Sequence, residues 1–252
     1  MSDPIDNASE PAAVTSYSVA EDGVALIRLE RPRSRNAIDT QMLGELLEHL
    51  AVARDDDAVR VLVFSSADHM GFSAGADVRE VLDHDAHVRR MEMFSDLYDT
   101  IVAFPKPTVA ACHGDVVGGG AEISIACDLR VGGSNLRMRF PGAALGMPVG
   151  PARLVTLCGL GAAKYLLLTS RTVGPDEALR LGLINRVAPA AATEESALAL
   201  AASVAAHPPE SVARLKRMLH EWDDIEGRSA AEGVGQVEHV RGLGFGYTKP
   251  AE

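Results

Sequence analysis

The chain has 252 residues, which suits one globular domain or one domain with an appendage. Hydrophobic residues make up 47% and charged residues 23% of the sequence, the balance of an ordinary soluble globular protein. The formal net charge of -11 argues against bulk electrostatic binding to nucleic acid or to an anionic membrane.

The N-terminal sequence and the cysteines indicate where the protein works. Residues 1–13 lack the basic and apolar stretches of a secretion signal, and the longest run of small apolar residues, 197–206, is too short to span a bilayer. The cysteines have no CxxC spacing and lie in apolar stretches, so we expect buried free thiols at Cys112, Cys127 and Cys158. We therefore expect a cytoplasmic protein.

The pattern of apolar residues predicts an α/β core followed by helices. Residues 1–16 are polar and acidic and predict a flexible tail. In the core, 17–190, the pattern predicts strands at 24–29, 59–64, 108–112 and 129–131, and helices at 39–54, 88–104, 119–126, 154–158, 162–169 and 175–181. Alanine-rich helical sequence takes over from 191 to 252, at 194–206, 209–221 and 229–241. This order predicts the α/β fold class with a C-terminal helical region.

Two glycine-rich loops carry the chemistry that the sequence suggests. Residues 71–77 follow one predicted strand, and residues 113–120 follow another and lead into a helix. Loops of glycine and alanine leave backbone N–H groups uncovered, and a helix N-terminus adds about half a positive charge. Two such loops facing one another would form an oxyanion hole with two donors. Glu122 lies just inside the second helix, where a carboxylate can move protons.

These loops and their flanking motifs resemble those of the crotonase superfamily, the enoyl-CoA hydratase/isomerase family. The matching stretches, in the family's order, are Arg31, Pro32, Asn36 and Ala37, then 73–77 (SAGAD), 105–111 (PKPTVAA), 118–122 (GGGAE), 126–128 (ACD) and 177–187. The resemblance covers about residues 17 to 190. It implies a crotonase-like spiral of repeated ββα units, an assembly of three or six copies and an acyl-coenzyme A thioester substrate. Coenzyme A would be part of that substrate, so no separate cofactor and no metal is expected.

The resemblance also assigns roles to individual residues by matching motif positions. The N–H groups of Ala76 and Gly119 would be the oxyanion donors, and Glu122 matches one of the two catalytic glutamates of enoyl-CoA hydratases. Gly142 stands where the second glutamate belongs, so the carboxylate pair is broken. The loop after Gly146 is also shortened.

The loss of one carboxylate changes the chemistry that we expect. Adding water to a double bond requires a water to be held and deprotonated and a proton to be delivered to carbon, tasks that two carboxylates divide. One carboxylate can still shuttle a proton between two carbons, so the sequence favours isomerisation or another atypical reaction within the hydratase/isomerase type. Asp77, Glu80 and Asp115 are candidates for the missing role. The alternative is a non-catalytic acyl-CoA-binding protein.

Arginines near the predicted site are candidates for binding the phosphates of coenzyme A, because the guanidinium fork suits phosphate geometry. Arg31, Arg33 and Arg35 form a basic patch in an acidic chain, and Arg79 follows the first glycine-rich loop. With Ala74 in that loop, Arg31, Arg33 and Arg79 are the predicted coenzyme A-binding residues.

Three further features concern a serine hydrolase, a metal site and the length of the C-terminal region. Residues 71–75 read G-x-S-x-G, which makes Ser73 the nucleophile of a remote alternative, a serine hydrolase. His84 and His87 lie in a polar run that indicates a solvated surface rather than a metal site. Residues 244–250 do not resemble the basic and aromatic final helix of the family, so we expect a short C-terminal region.

Overall fold

The computed structural model describes residues 12–68 and 70–243, which begin with a hairpin and a helix. Strand β1 (Thr15–Val19) pairs antiparallel with β2 (Val24–Leu29), and helix α1 (Thr40–Asp55) follows. The Asp39 side chain caps α1 by accepting from the Met42 N–H at 2.9 Å. Most of the predicted tail and residues 244–250 lie outside the described residues.

Three strand–strand–helix units follow, and they confirm the predicted ββα repeat. The units are β3 (Val61–Ser66), β4 (Gly71–Ser73) and α2 (His84–Val102); β5 (Thr108–Cys112), β6 (Asp115–Val117) and α3 (Gly119–Ala126); and β7 (Leu129–Gly133), β8 (Arg137–Arg139) and α4 (Pro151–Thr169). The chain continues through β9 (Thr172–Val173), α5 (Pro175–Arg180) and β10 (Arg186–Ala188). The predicted α/β fold class is therefore correct.

Each unit gives its first strand to a large sheet and its second strand to a small one. The large sheet has the order β1-β2-β3-β5-β7-β10, and the small sheet has the order β4-β6-β8-β9. All pairs from β2 to β10 in the large sheet are parallel, and its central strands β3 and β5 are buried along their whole length. Continuous apolar runs are what strands covered on both faces require. The ends of these strands bring the two glycine-rich loops side by side.

The alanine-rich C-terminal region completes the core. Helix α6 (Thr193–Ala205) places Ala197, Ala201 and Ala205 in one buried cluster with large-sheet residues such as Val63 and Val109. Spacing by four residues puts the three small side chains on one helix face, so the helix can approach the sheet closely. Helix α7 (Pro209–Asp223) follows, and α8 (Ile225–Leu243) packs against α2 and α4. The predicted helical region is thus present, with α6 as part of the core.

Helix α4 is the one described helix with the length and mean hydropathy, 1.3, that a membrane span needs. Gly159 interrupts it with non-helical angles, φ 74° and ψ 161°. The sequence predicts this break, since its apolar pattern gives two helices at 154–158 and 162–169. Each piece is shorter than the roughly 20 residues that cross a bilayer.

Candidate active site

A cleft of about 890 Å³ lies where the two glycine-rich loops meet α2, α3 and α8. Its lining includes the first loop from Ala74, the second loop from Val117 to Gly119, and Glu122 on α3. Cavities of several hundred cubic ångströms with a few convergent polar groups are typical ligand sites. The cleft therefore contains the predicted oxyanion donors and the predicted catalytic glutamate together.

The first loop leaves one backbone donor free. The Ile38 N–H donates to the Gly75 carbonyl at 2.8 Å, and the Asp77 N–H donates to the Ile38 carbonyl at 2.8 Å. This parallel bridge uses the groups on either side of Ala76, so the Ala76 N–H points away from it. Within the described residues, neither the Ala76 N–H nor the Gly119 N–H at the start of α3 donates to a protein acceptor.

The two loops touch so closely that glycine is needed at their contact. Gly75 has a φ of +91°, and a Cβ placed on it would lie 2.8 Å from the Val117 carbonyl oxygen and 3.3 Å from the Gly119 nitrogen. Gly118 also has a positive φ, +50°. Any side chain at Gly75 would separate the loops, because L residues rarely adopt this conformation and the space is filled. The arrangement brings the unbonded N–H groups of Ala76 and Gly119 to adjacent loops.

Glu122 projects from the first turn of α3 and is 1% exposed. Its Oε2 atom accepts from Arg153 Nη2 at 2.9 Å and from Arg153 Nε at 3.3 Å. Its Oε1 atom has no partner among the described residues. One carboxylate oxygen is thus fixed by an ion pair, and the other is buried without a hydrogen-bond partner in the described part of the chain.

Arg153 neutralises a second carboxylate, Glu232 on α8. Arg153 Nη2 donates to Glu232 Oε1 at 2.6 Å, and Arg153 Nη1 donates to Ser229 Oγ at 2.9 Å. Glu232 also accepts from the N–H groups of Gly150 and Ala152 at 2.8 and 2.7 Å, so it caps the N-terminus of α4. Sequence reasoning missed Glu232, because no local pattern places a C-terminal helix over α3.

Burial raises the pKa of Glu122 to about 7, against the lowering effect of the Arg153 charge and with a raising effect from Glu232. Burial alone would lower the pKa of Arg153, but Glu122 and Glu232 outweigh it and keep the guanidinium charged. A pKa near the working pH is the optimum for a group that both accepts and releases protons. The environment formed by Arg153 and Glu232 thus leaves Glu122 with a pKa close to neutral pH.

Two further side chains in the cleft have no counterpart in the predicted set. Tyr98 on α2 lies under Arg153, whose guanidinium carbon is 4.9 Å from the ring centroid, and a Cβ on Gly119 would lie 3.3 Å from the Tyr98 hydroxyl. Burial raises the pKa of Tyr98 well above its ordinary value, so this hydroxyl stays neutral. Gln236 on α8 is 1% exposed and donates from Nε2 to Glu232 Oε1 at 2.8 Å. Hydrophobic spacing alone gives no signal for either residue.

None of the three predicted substitutes for the missing glutamate offers a free carboxylate. Asp77 lies 3.1 Å from Arg31, and Glu80 accepts from Arg90 at 2.8 Å and from the Thr40 N–H at 3.1 Å. Both line the cleft but are held by these partners. Asp115 lies 3.6 Å from each of two exposed arginines, Arg35 and Arg137, and does not line the cleft.

Gly142, where the sequence resemblance places the second glutamate of hydratases, has no room for a side chain. Gly142 lines the cleft, but a Cβ there would collide with the Met147 carbonyl oxygen. The Met147 N–H donates to the Gly142 carbonyl at 2.8 Å and closes this tight turn. The turn from Gly142 to Met147 thus fills the space that a side chain at position 142 would need.

The predicted coenzyme A-binding residues occupy different environments. Arg33, Arg79 and Ala74 line the cleft, and neither of these two exposed arginines forms an ion pair within residues 12–68 and 70–243. The Arg31 guanidinium lies 3.0 Å from Asp39 and 3.1 Å from Asp77, and it does not line the cleft. Arg31 therefore fixes the start of α1 to the first loop.

The serine-hydrolase alternative finds no support. The buried Ser73 hydroxyl donates to the Asn36 carbonyl at 2.7 Å and accepts from the Gly75 N–H at 3.1 Å. No described histidine bonds to it, whereas a nucleophilic serine needs an adjacent base.

In the described part of the chain, no group of three or more His, Cys, Asp or Glu side chains is arranged to hold a metal ion.

Comparison with known proteins agrees with this geometry. A family model described as Enoyl-CoA hydratase/isomerase matches residues 19–232. The chain is 30% identical over 205 residues to the short-chain-enoyl-CoA hydratase of Clostridium acetobutylicum, with 79% of this chain and 78% of that protein covered. It is 31% identical to the 2,3-dehydroadipyl-CoA hydratase of Escherichia coli, with 80% of each covered. A crystal structure of an enoyl-CoA hydratase/isomerase from Xanthobacter autotrophicus Py2 superposes with a TM-score of 0.84 at 26% identity, covering 94% of this chain and 90% of that one.

Proposed function

The chain belongs to the enoyl-CoA hydratase/isomerase family, and from that premise we propose that it catalyses proton transfer on an acyl-CoA thioester through a single carboxylate, Glu122. The thioester carbonyl oxygen would lie between the N–H groups of Ala76 and Gly119. Negative charge that develops on this oxygen as an enolate is stabilised there, and losing one such donor typically costs ~10²–10³-fold in rate.

The observation that carries the proposal is the state of Glu122. The carboxylate is buried, Arg153 holds one of its oxygens, the other oxygen has no partner, and the pKa is raised to about 7. Such a group is ionised often enough to take a proton from carbon and protonated often enough to return it. Isomerisation takes the proton from carbon and hydration takes it from water, and in both reactions the group then delivers a proton to carbon.

Arg33 and Arg79 are the residues that we assign to the coenzyme A phosphates. Both lie at the cleft and carry charges that no carboxylate within residues 12–68 and 70–243 neutralises. Fork-shaped guanidinium groups bind phosphate oxygens in pairs. Ala74, in the same lining, leaves room for the ligand to approach the first loop.

A non-catalytic acyl-CoA binder is the second candidate. The observation in its favour is Gly142, because the second glutamate is missing and its place is filled by the turn to Met147. Such a protein would keep both N–H donors and the arginines but would turn over no thioester.

Product analysis with a panel of 2-enoyl- and 3-enoyl-CoA thioesters separates the candidates. For the wild type we expect a mass gain of one water, or a shift of the double bond seen by ultraviolet absorbance. Glu122→Gln should abolish that conversion and keep thioester affinity. Tight binding without conversion of any thioester in the panel would identify the binder, and unchanged turnover in Glu122→Gln would overturn the proposed mechanism.

A further inference from the structure

Two buried oxygen atoms in the cleft residues lack a hydrogen-bond partner in the described part of the chain. They are Glu122 Oε1 and Gln236 Oε1. Both side chains are 1% exposed, and both line the cleft. Buried polar atoms of native proteins almost always have a partner, either protein or ordered water. Two unpartnered acceptors in one cleft therefore indicate a ligand that donates hydrogen bonds.

The Gln236 amide has one favourable orientation. Its Nε2 atom donates to Glu232 Oε1 at 2.8 Å, and turning the amide over would set its oxygen against a carboxylate oxygen. Oε1 is thus the atom left without a partner. Because it is an acceptor only, it requires a donor from the ligand.

The two acceptor side chains belong to one buried hydrogen-bond network. Arg153 Nη2 donates to Glu122 Oε2 at 2.9 Å and to Glu232 Oε1 at 2.6 Å. The same Glu232 oxygen accepts from Gln236. This network fixes the orientation of Glu122 on α3 and of Gln236 on α8 with respect to one another.

We propose that Gln236 and Glu122 together hold the water molecule that adds to a 2-enoyl-CoA thioester, so that Gln236 replaces the glutamate lost at Gly142. The inference rests on the proposed function and names hydration as its reaction. A water molecule has two hydrogens, one for each acceptor, and keeps its lone pairs for the substrate. A neutral amide can hold water in this way without adding a further negative charge to the pair Glu122 and Glu232.

The addition balances with one carboxylate. The water oxygen bonds to C3, one water proton passes to Glu122 Oε1, and the electrons of the C2=C3 bond move onto the thioester oxygen. The enolate then collapses, and the proton on Glu122 passes to C2. The product is a 3-hydroxyacyl-CoA, and Glu122 returns to its ionised form. Gln236 accepts a hydrogen bond throughout and exchanges no proton.

Gln236→Met is the variant that tests the water site, since methionine keeps the side-chain length and removes the acceptor. We expect the hydration of a 2-enoyl-CoA to fall by about 10²-fold, the typical cost of a misplaced reactant. Exchange of the C2 proton of a saturated acyl-CoA with deuterated water needs Glu122 but no added nucleophile, so this rate should stay close to the wild-type rate. The matched control is Glu238→Met on the exposed side of α8, which should alter neither rate.

Gln236→Glu tests the same site by rescue. A glutamate restores an acceptor, so hydration should recover, and its pH profile should move upward because a further negative charge raises the pKa of Glu122. Wild-type hydration rates in Gln236→Met would overturn the water assignment. Loss of hydration and C2 exchange together would also overturn it, since Gln236 would then support the whole site. The proposed function fails separately, if Glu122→Gln still exchanges the C2 proton at the wild-type rate.

Discussion

Arg153 is the residue on which the charge balance of the cleft depends. It is 2% exposed and is the shared counterion of Glu122 and Glu232. A buried ion pair is weak evidence of stabilisation, but removing one partner leaves an uncompensated buried charge. Removing Arg153 is therefore expected to cost more stability than its ion pairs contribute.

Arg153→Met should lower the free energy of unfolding by about 3–5 kcal/mol at pH 7, because two carboxylates lose their counterion. Denaturant unfolding of the variant and the wild type measures this difference. Arg28→Met is the control, since Arg28 pairs with Glu194 at the surface and such pairs contribute about 1 kcal/mol or less. Equal losses in the two variants would show that the buried triad carries no special energetic role.

The raised pKa of Glu122 makes stability depend on pH with a definite sign. The folded-state pKa of about 7 exceeds the ordinary glutamate pKa of 4.5, so the folded protein binds this proton more tightly than the unfolded chain does. The stabilising contribution is complete below pH 4.5 and is lost as the pH rises through 7. Relative to the wild type, Glu122→Gln should therefore gain up to about 3 kcal/mol of unfolding free energy between pH 4.5 and 8. Parallel stability curves for the two proteins would contradict the raised pKa.

At the scale of elements, the loop from Gly142 to Gly150 shapes the cleft. Gly150 precedes α4 with a φ of +96°, and a Cβ on it would lie 2.5 Å from Glu122 Oε1. The loop thus closes against the carboxylate from one side while the α8 residues approach it from the other.

Gly150→Ala should cost at least about 1–2 kcal/mol of stability, the usual penalty for an L residue at positive φ. It should also lower turnover, because the new methyl group displaces Glu122 Oε1. Gly161→Ala within α4 is the matched control, since nothing lies within 4 Å of its Cβ position, and it should stabilise the helix by up to about 1 kcal/mol. Thermal unfolding and thioester turnover compare the two, and full activity in Gly150→Ala would show that this contact does not constrain Glu122.

The elements with strong local patterns could be predicted from the sequence, and the long-range partners could not. The sequence places α3 correctly and α1 to within one residue at each end, because glycine before an apolar run and regularly spaced apolar residues are local signals. It also places Glu122 beside the glycine-rich loops. Arg153, Glu232 and Gln236 meet Glu122 only through tertiary packing, and sequence spacing carries no information about that packing.

At the scale of the whole molecule, helix α7 presents an apolar face to solvent. Leu215, Leu219 and Trp222 are 59%, 61% and 75% exposed, at the spacing that aligns side chains on one side of a helix. A contiguous apolar surface of this kind marks an interaction site. We expect this face to contribute to the trimer or hexamer that the family resemblance implies.

Light scattering after size-exclusion chromatography should give a particle of three or six chains of 26.6 kDa. Leu219→Glu should shift that particle toward monomers, because a charge would be buried in the contact. Val52→Glu on α1, another exposed apolar position, should leave the particle unchanged. A monomeric wild type would contradict the expected trimer or hexamer.

Proton transfer by Glu122 is tested most directly by deuterium exchange at C2 of a saturated acyl-CoA. Mass spectrometry measures this exchange in the wild type and in Glu122→Gln. Thioester affinity is measured in parallel, so that a lost rate can be separated from lost binding. In the wild type we expect exchange that increases as the pH rises through about 7, where Glu122 ionises. In the variant we expect loss of exchange with retained affinity. Exchange at the same rate in both proteins would show that Glu122 does not transfer the proton.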